Sequence, residues 1–304
     1  MSSSNEWSTL RHVVLGDAKN LNWPIGDPVF NQHLRETIWH GDSLRLGPID
    51  RDILALTSLE LDYFQKTLES LGVKVSRPIY RDHYHYNEFG SYCPRDNIVV
   101  LGDKNIVAPM TYPSRRSEWR AYESYLTGEI IVCSDPDAKF DAANICRLGD
   151  TVLYLQSKTG NRAGFEWLER EFGEQYQIVL LDNIYNGVHI DSTVVPLREG
   201  LVMLNAGRVN FTNVPSVFKD WDIIWIDEDD VTETEYRQYP YASKWIGMNV
   251  LSVSPDVVIY DPRHPRIAEK IQKYGINTVP VQLTHSRTLG GGHHCVTLDV
   301  RRAD

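Results

Sequence analysis

LEREFGEQYQIVLLD, residues Leu168–Asp182 of a 304-residue chain, packs a helix, a turn and an apolar strand into one phrase. The same phrase recurs four more times. A helix over Asp50–Leu71, with apolar residues at helical spacing (Ile53, Leu54, Leu56, Leu59, Leu61, Phe64, Leu68), runs into VKVSRP (Val73–Pro78). ESYLTGEIIVCS (Glu123–Ser134), VFKDWDIIWID (Val217–Asp227) and KIQKYGINTVPVQL (Lys270–Leu283) complete the set. Gly72, Gly128, Gly173 and Gly275 stand where a helix should stop, and Asp220 takes that place in the fourth copy. Further strand pairs lie between the copies: Asn97–Leu101 with Asn105–Ala108, Thr151–Gln156, Val194–Leu197 with Leu201–Leu204, and Val257–Tyr260. Arg11–Leu15 forms an opening strand, and Asn22–Gly47 reads as mostly loop. Copies spaced by about fifty residues are an internal repeat. Five such units closed in a ring give a pseudo-symmetric five-bladed α/β propeller, one domain over residues 1–304, with no unpaired sheet edge. A doubly wound sheet is the competing architecture, since strand–helix alternation alone suggests it.

Bulk composition narrows the function. At 42% hydrophobic and 24% charged the chain is ordinarily globular, and its net charge of -10 argues against a nucleic-acid footprint. No apolar run is long enough to span a bilayer. The opening MSSSNEWSTLRHVV has no basic segment followed by an apolar one. Cys93, Cys133, Cys146 and Cys295 are scattered with no CxxC, which suits free thiols in a reducing compartment. The expected location is the cytoplasm and the expected partners are small molecules, with a homodimer left open.

Each repeat strand is followed by a segment able to carry chemistry. These are NEFGSYCPRD with Asp96, FDAAN with Asp141, NGVHIDST with His189 and Asp191, YASKW with Ser243 and Lys244, and GGGHHC with Cys295. Units arranged about an axis would bring all five to one end of the ring. Cys295 follows three glycines and opens the strand-like VTLDV, a position fixed yet reachable; a buried structural cysteine is the alternative. As a nucleophile it needs conversion to thiolate, and carboxylates at Asp96, Asp141 and Asp191 would oppose that unless the substrate is itself a cation. A guanidinium meets the requirement: it is planar, cationic and pairs side-on with carboxylates. His189 is the candidate acid and base.

FDAAN, HIDST, SKWIGMNVL (Ser243–Leu251) and LGGGHHCVTLDVRR (Leu289–Arg302), in this order, resemble the amidinotransferases, the glycine amidinotransferases most of all. NEWSTLRHVVLG, PRDNIVVLGDKNIVAPM and GNRAGFEWLERE extend the likeness over about Asn5–Arg302. The resemblance implies the ββαβ propeller of the guanidino-group-modifying enzymes, the pentein fold. It also implies transfer of the amidino group of L-arginine to an amine, glycine foremost, with release of L-ornithine and no metal or organic cofactor. Cys295 matches the nucleophile that carries the amidino group, His189 the acid/base and Asp141 its carboxylate partner. Asp96 and Asp191 match the carboxylates that grip the guanidinium. Arg208 and Ser243 match residues that hold the donor carboxylate, and Asn186 matches an asparagine of the glycine-using members. Three departures concern the acceptor: Asn144 ends FDAAN where the family has Asp, Ala242–Ser243 replaces a serine pair, and Val188 stands in place of a methionine. The chain is shorter than the family's animal members and without their organelle leader, which points to the cytoplasm of a microbe or a virus-infected cell. A hydrolase of the same fold is the alternative, and a non-catalytic guanidino binder a third. His83 and His85 have the spacing of metal ligands, but no third ligand stands near them in the sequence. His293 and His294 beside Cys295 would point to opposite faces of an extended segment.

Overall fold

The structure is a computed structural model and describes residues 3–37, 45–232 and 241–303. Along the chain come β1 (Leu10–Leu15), the two-residue ribbon strands β2 (Asn22–Trp23) and β3 (Gly47–Pro48), and β4 (Lys74–Ser76). Three further strand sets follow: β5 (Ile98–Leu101), β6 (Lys104–Val107) and β7 (Glu129–Val132); β8 (Ile145–Arg147), β9 (Thr151–Leu155) and β10 (Gln177–Leu181); β11 (Val194–Arg198), β12 (Leu201–Asn205) and β13 (Asp222–Ile226). The last are β14 (Leu251–Ser254), β15 (Val257–Tyr260) and β16 (Asn277–Pro280), and then β17 (Thr297–Arg302). β17 returns to pair with β1, so that the first sheet has the order β17-β1-β4 and the other four run in chain order. In each sheet the first pair is antiparallel and the second parallel. A parallel pair needs a crossover, and each crossover is helical.

Burial orders the strands within every unit. The first strands are buried nearly throughout: all of β5 and β8, and all but the last residue of β11 and β14. The third strands are mostly exposed or half-buried. First strands therefore lie inside and third strands outside. Five apolar clusters close the ring. Val14, Leu298 and Val300 pack on Ile98 and Val100 between the first and second units. Val99 and Ile106 pack on Val152 and Tyr154, Leu153 and Leu155 on Val194 and Val202, and Leu197 and Met203 on Val250 and Val258. Leu251 and Ile259 meet Leu10 and Val13 to join the fifth unit to the first. The doubly wound alternative is excluded, because among the described residues no sheet exceeds three strands.

At the centre of the ring the first strands carry charge. The Arg147 guanidinium donates from Nε to Glu6 Oε1 at 2.8 Å and from Nη2 to Glu6 Oε2 at 2.7 Å and Asp299 Oδ2 at 2.5 Å. Arg302 Nε reaches Asp299 Oδ2 at 2.8 Å, and Arg95 pairs with Asp299 and, at 3.4 Å, with Glu6. Three guanidiniums thus meet two carboxylates, all buried. Burial works against ionising Glu6 and Asp299, yet Arg147 holds both carboxyls well below their usual range, with Arg95 and Arg302 adding to the effect at Asp299.

Two local expectations are corrected. The crossover helices are α-helical in α2 (Arg51–Ser70), α4 (Arg162–Phe172) and α5 (Pro265–Gln272). In the second unit they are 3-10 turns at Pro113–Arg115, Glu118–Ala121 and Glu123–Tyr125, and in the fourth one turn at Ser216–Phe218. Arg115 ends the first of these turns and Glu118 begins the next, and their buried side chains pair at 3.0 Å. Gly72, Gly128 and Gly275 take left-handed φ values of 82°, 104° and 76°, and Gly173 caps α4 as expected, with a right-handed φ of -64°. Within the expected loop over Asn22–Gly47 lies α1 (Pro28–Thr37), while residues 38–44 fall outside the described residues. The Asp27 side chain accepts from the Val29 and Phe30 N–H groups at 3.1 and 3.0 Å, and Pro28 occupies the first helical position. That N-cap followed by proline is a start signal legible in the sequence.

Candidate active site

Four of the five segments after the third strands line one cavity, and the fifth, FDAAN, stands behind it with Asp141 against His189. The lining includes Cys93 and Asp96, then Tyr185 and Val188 to Ser192 apart from Ile190, then Tyr241 to Ser243, then Leu289, Gly290 and Cys295. Phe89, Tyr112 and Tyr241 give it aromatic walls.

Cys295 is buried at one side. It lies in a turn two residues before β17, rather than opening the strand as expected: Val296 N donates to Gly292 O at 3.0 Å and Thr297 N to His294 O at 3.2 Å. The short α6 (Ser286–Leu289) ends at Gly290, whose φ is 74°. Gly291 and Gly292 serve a different purpose from free rotation. A Cβ on Gly291 would collide with the Cys93 sulfur, and one on Gly292 would sit 2.8 Å from the Asn249 side chain. Asn249 Oδ1 accepts from the N–H groups of both His294 (2.9 Å) and Cys295 (3.0 Å), which fixes the nucleophile's backbone. Cys295 Sγ donates to Asp191 Oδ2 at 3.2 Å. Burial, then Asp191, Cys93 and Asp96, push this thiol well above its ordinary value.

Opposite stands His189. Its Nε2 meets Asp141 Oδ2 at 3.0 Å and its Nδ1 lies 3.7 Å from Asp96 Oδ1. Asp141 is fully buried behind the ring, its other oxygen taken by the Thr111 N–H at 3.1 Å. Ile190 N bonds Ala143 O at 3.0 Å, tying the HID segment to FDAAN. Burial pulls the His189 imidazole down, but Asp96, Asp141 and Asp191 carry it up to about 9, so it is protonated at neutral pH. Burial raises Asp96, which His189 and Arg115 only partly offset. Asp191 is held down to about 2 despite its burial, chiefly by the hydrogen bond and charge of His294. Asp96 takes Arg115 Nη1 on Oδ2 at 2.8 Å, whereas its Oδ1 is buried without a hydrogen-bond donor. A buried carboxylate oxygen lacking a donor is a costly arrangement that a cationic ligand relieves.

The remaining expected residues are placed as follows. Ser243 lines the cavity, while Lys244 turns to Glu228 at 3.3 Å. Arg208 stands behind the wall: its Nη1 donates to Ser192 Oγ at 3.0 Å and Thr193 Oγ1 at 2.7 Å, and its guanidinium lies 3.6 Å over the Tyr185 ring. Asn186 is exposed between two lining residues and is not itself in the lining. Asn144 has a physical reason to differ from Asp: its Nδ2 donates to Leu155 O at 2.8 Å and Ser157 Oγ at 2.9 Å, which a carboxylate cannot do. Cys93 lines the cavity with Cys295. Arg115 and Asn249 were missed, although Asn249 lies inside the SKWIGMNVL segment and Arg115 has no sequence signal beyond its type. His83 is buried between Glu88 (2.9 Å) and Ser91 (2.8 Å), away from the cavity, and His85 is exposed. His293 Nε2 bonds Val281 O at 2.7 Å, whereas His294 faces Asp191 and Glu6. Among the described residues no group of three His, Cys, Asp or Glu side chains could hold a metal ion, and no helix is long and apolar enough to cross a membrane.

No family model matches the chain. It is 35% identical over 340 aligned positions to inosamine-phosphate amidinotransferase 1 of Streptomyces glaucescens, covering 99% of this chain and 97% of that one. The mitochondrial glycine amidinotransferase of Xenopus laevis is 28% identical, with 99% of this chain and 82% of that one covered. Among solved structures, the inosamine-phosphate amidinotransferase of Streptomyces griseus superposes with a TM-score of 0.90 at 35% identity, over 100% of this chain and 97% of that one. A dimethylarginine dimethylaminohydrolase shares the fold at 17% identity and a TM-score of 0.67, over 95% of this chain and 99% of that one. With that identity spread over nearly its whole length, the chain belongs to the amidinotransferase family.

Proposed function

We propose that the chain is one catalytic domain that moves the amidino group of L-arginine to an acceptor amine through an S-amidino derivative of Cys295. The observation that carries this reading is the buried Asp96 Oδ1 without a donor, in the same cavity as Asp191, Cys295 and His189. Asp96 and Asp191 would grip the guanidinium, whose positive charge offsets the carboxylates and lets the thiol release its proton to solvent. The thiolate then attacks the guanidinium carbon. His189, already protonated, donates to the departing nitrogen as the carbon–nitrogen bond breaks, and L-ornithine leaves. Neutral His189 next takes a proton from the acceptor amine, which attacks the S-amidino carbon and expels the sulfur. Asp141 orients the ring and balances its charge throughout. Arg208 and Ser243 would hold the donor carboxylate, and Asn186 would meet the acceptor at the mouth. A cytoplasmic setting fits the four free cysteines.

For the acceptor, glycine gives way to an amine borne on a cyclitol phosphate. The relative named for inosamine phosphate is 35% identical, against 28% for the glycine enzyme. The experiment is incubation with L-arginine alone and then with glycine, lysine, an aminocyclitol or its phosphate. Without amine, ornithine should appear in a burst equal to the enzyme, with one amidino group on the Cys295 peptide by mass spectrometry. One amine should discharge it. Steady release of citrulline without any amine would overturn the transferase reading in favour of a hydrolase.

A further inference from the structure

One side chain joins the charged centre of the ring to the nucleophile. His294 Nδ1 lies 3.0 Å from Asp191 Oδ2, and its Nε2 lies 3.3 Å from Glu6 Oε2. The same Asp191 oxygen receives the Cys295 thiol. We propose that His294, clamped between Glu6 and Asp191, is a positioning residue that supplies a fixed positive charge beside Cys295 and so sets how readily the thiol ionises. This rests on Cys295 being the nucleophile.

The argument starts from donors and acceptors. An ionised carboxylate only accepts, so both ring nitrogens must carry hydrogens, and only the imidazolium has two N–H groups. Both carboxylates are ionised: Asp191 is held down to about 2 and Glu6 well below its usual range. Glu6 is already engaged by two nitrogens of Arg147, with Arg95 and Asp299 behind it. It therefore fixes the ring without cancelling its charge, and that charge is left for Asp191. On the cavity side the thiol also faces Asp96, Cys93 and His189. Without a cation at position 294, the ionised Asp191 would oppose every thiolate formed 3.2 Å away. The backbone N–H of His294 is pinned by Asn249 together with that of Cys295, so ring and thiol keep a constant relation.

The test reads thiol ionisation without turnover. Cys295 in the full chain is alkylated with iodoacetamide across pH, with the modified peptide counted by mass spectrometry. His294→Asn and His294→Gln retain a neutral donor but remove the charge. Both should move the alkylation profile to higher pH by about one unit or more, making alkylation roughly tenfold slower at neutral pH with an unchanged alkaline plateau. The pH profile of kcat should shift the same way, so that lost activity returns at high pH. In the unaltered protein, labelled histidine ring nitrogens should report His294 as imidazolium at neutral pH, which keeps the proposal testable if a variant fails to fold. Superposed alkylation profiles, a neutral His294 ring, or an activity loss equal at all pH values would overturn it. An active Cys295→Ala enzyme would instead overturn the covalent reading, and alkylation distinguishes the two because it needs no catalysis.

Discussion

Two buried clusters of charge lie in the ring, and they are built on opposite rules. Around Arg147 the guanidiniums of Arg95, Arg147 and Arg302 meet the carboxylates of Glu6 and Asp299, and backbone carbonyls at Ser8, Val100 and Ser252 take most of the spare hydrogens. Around Cys295 the carboxylates of Asp96, Asp141 and Asp191 share His189, Arg115 and His294, and one oxygen of Asp96 has no donor. In the first cluster every carboxylate oxygen has a donor, and the pairs hold inner strands of different units together. The second leaves a buried carboxylate oxygen without a donor and a thiol driven upward, at a cost in stability that a cationic substrate repays. A cluster whose acceptors are all satisfied is structural, and one with an acceptor left open is functional, because only the latter gains a hydrogen bond from a ligand.

The sharpest test of this contrast is Cys295→Ala. It should take amidino transfer below detection while arginine still binds and thermal stability holds or rises. Cys93→Ala, Cys133→Ala and Cys146→Ala should keep the chemistry. Assays of product formation beside calorimetric arginine titration check it, and substantial activity in Cys295→Ala would end the covalent scheme.

The mirror-image change is Arg147→Met. It strands Glu6 and Asp299 in the interior and should cost roughly 3–5 kcal/mol of stability. Urea unfolding measures this. A variant that unfolds at the native midpoint would show that the first cluster contributes nothing net.

Arg208→Ala is a smaller perturbation at the edge of the second cluster. Losing a charge-assisted hydrogen bond of about 1.5–3 kcal/mol should weaken L-arginine binding about ten- to a hundred-fold and leave agmatine, which has no carboxylate, little affected. Equal losses for both ligands would remove Arg208 from donor recognition.

The smallest effect is in pH, where the clusters have opposite signs. His189 is raised from 6.5 to about 9. Its contribution to stability is complete below about 6.5 and disappears as pH rises through 9. Glu6 and Asp299 are lowered, so theirs is present above the ordinary carboxyl range and disappears only in acid. Melting temperature against pH should therefore have an alkaline limb that His189→Asn flattens and an acid limb that it leaves alone. Loss of both limbs in that variant would mean that the clusters are not independent.

What could be read in the chain itself is the repeat and the inventory. Helix–turn–strand phrases are local, governed by apolar spacing and turn residues, so β4, β7, β10, β13 and β16 were legible as strands. Motifs following those strands named Asp96, Asp141, His189, Asp191, Ser243 and Cys295, all of which meet at the cavity or directly behind it. The inner strands β8 and β14 were not legible, because they are short and carry polar residues such as Arg147 and Ser252, whose partners come from other units.

Tertiary structure alone decided the pairings. Arg115 and Glu118 carry charges of the kind usually found at a surface, yet both are buried, Arg115 pairing with Asp96 as well as with Glu118. Glu6 and His294 are 288 residues apart, and only ring closure by β17 against β1 brings them to 3.3 Å. Sequence spacing fixes which side chains share a face of one element. Which charge compensates which depends on contacts between elements, and in a closed ring every unit contributes to the same axis.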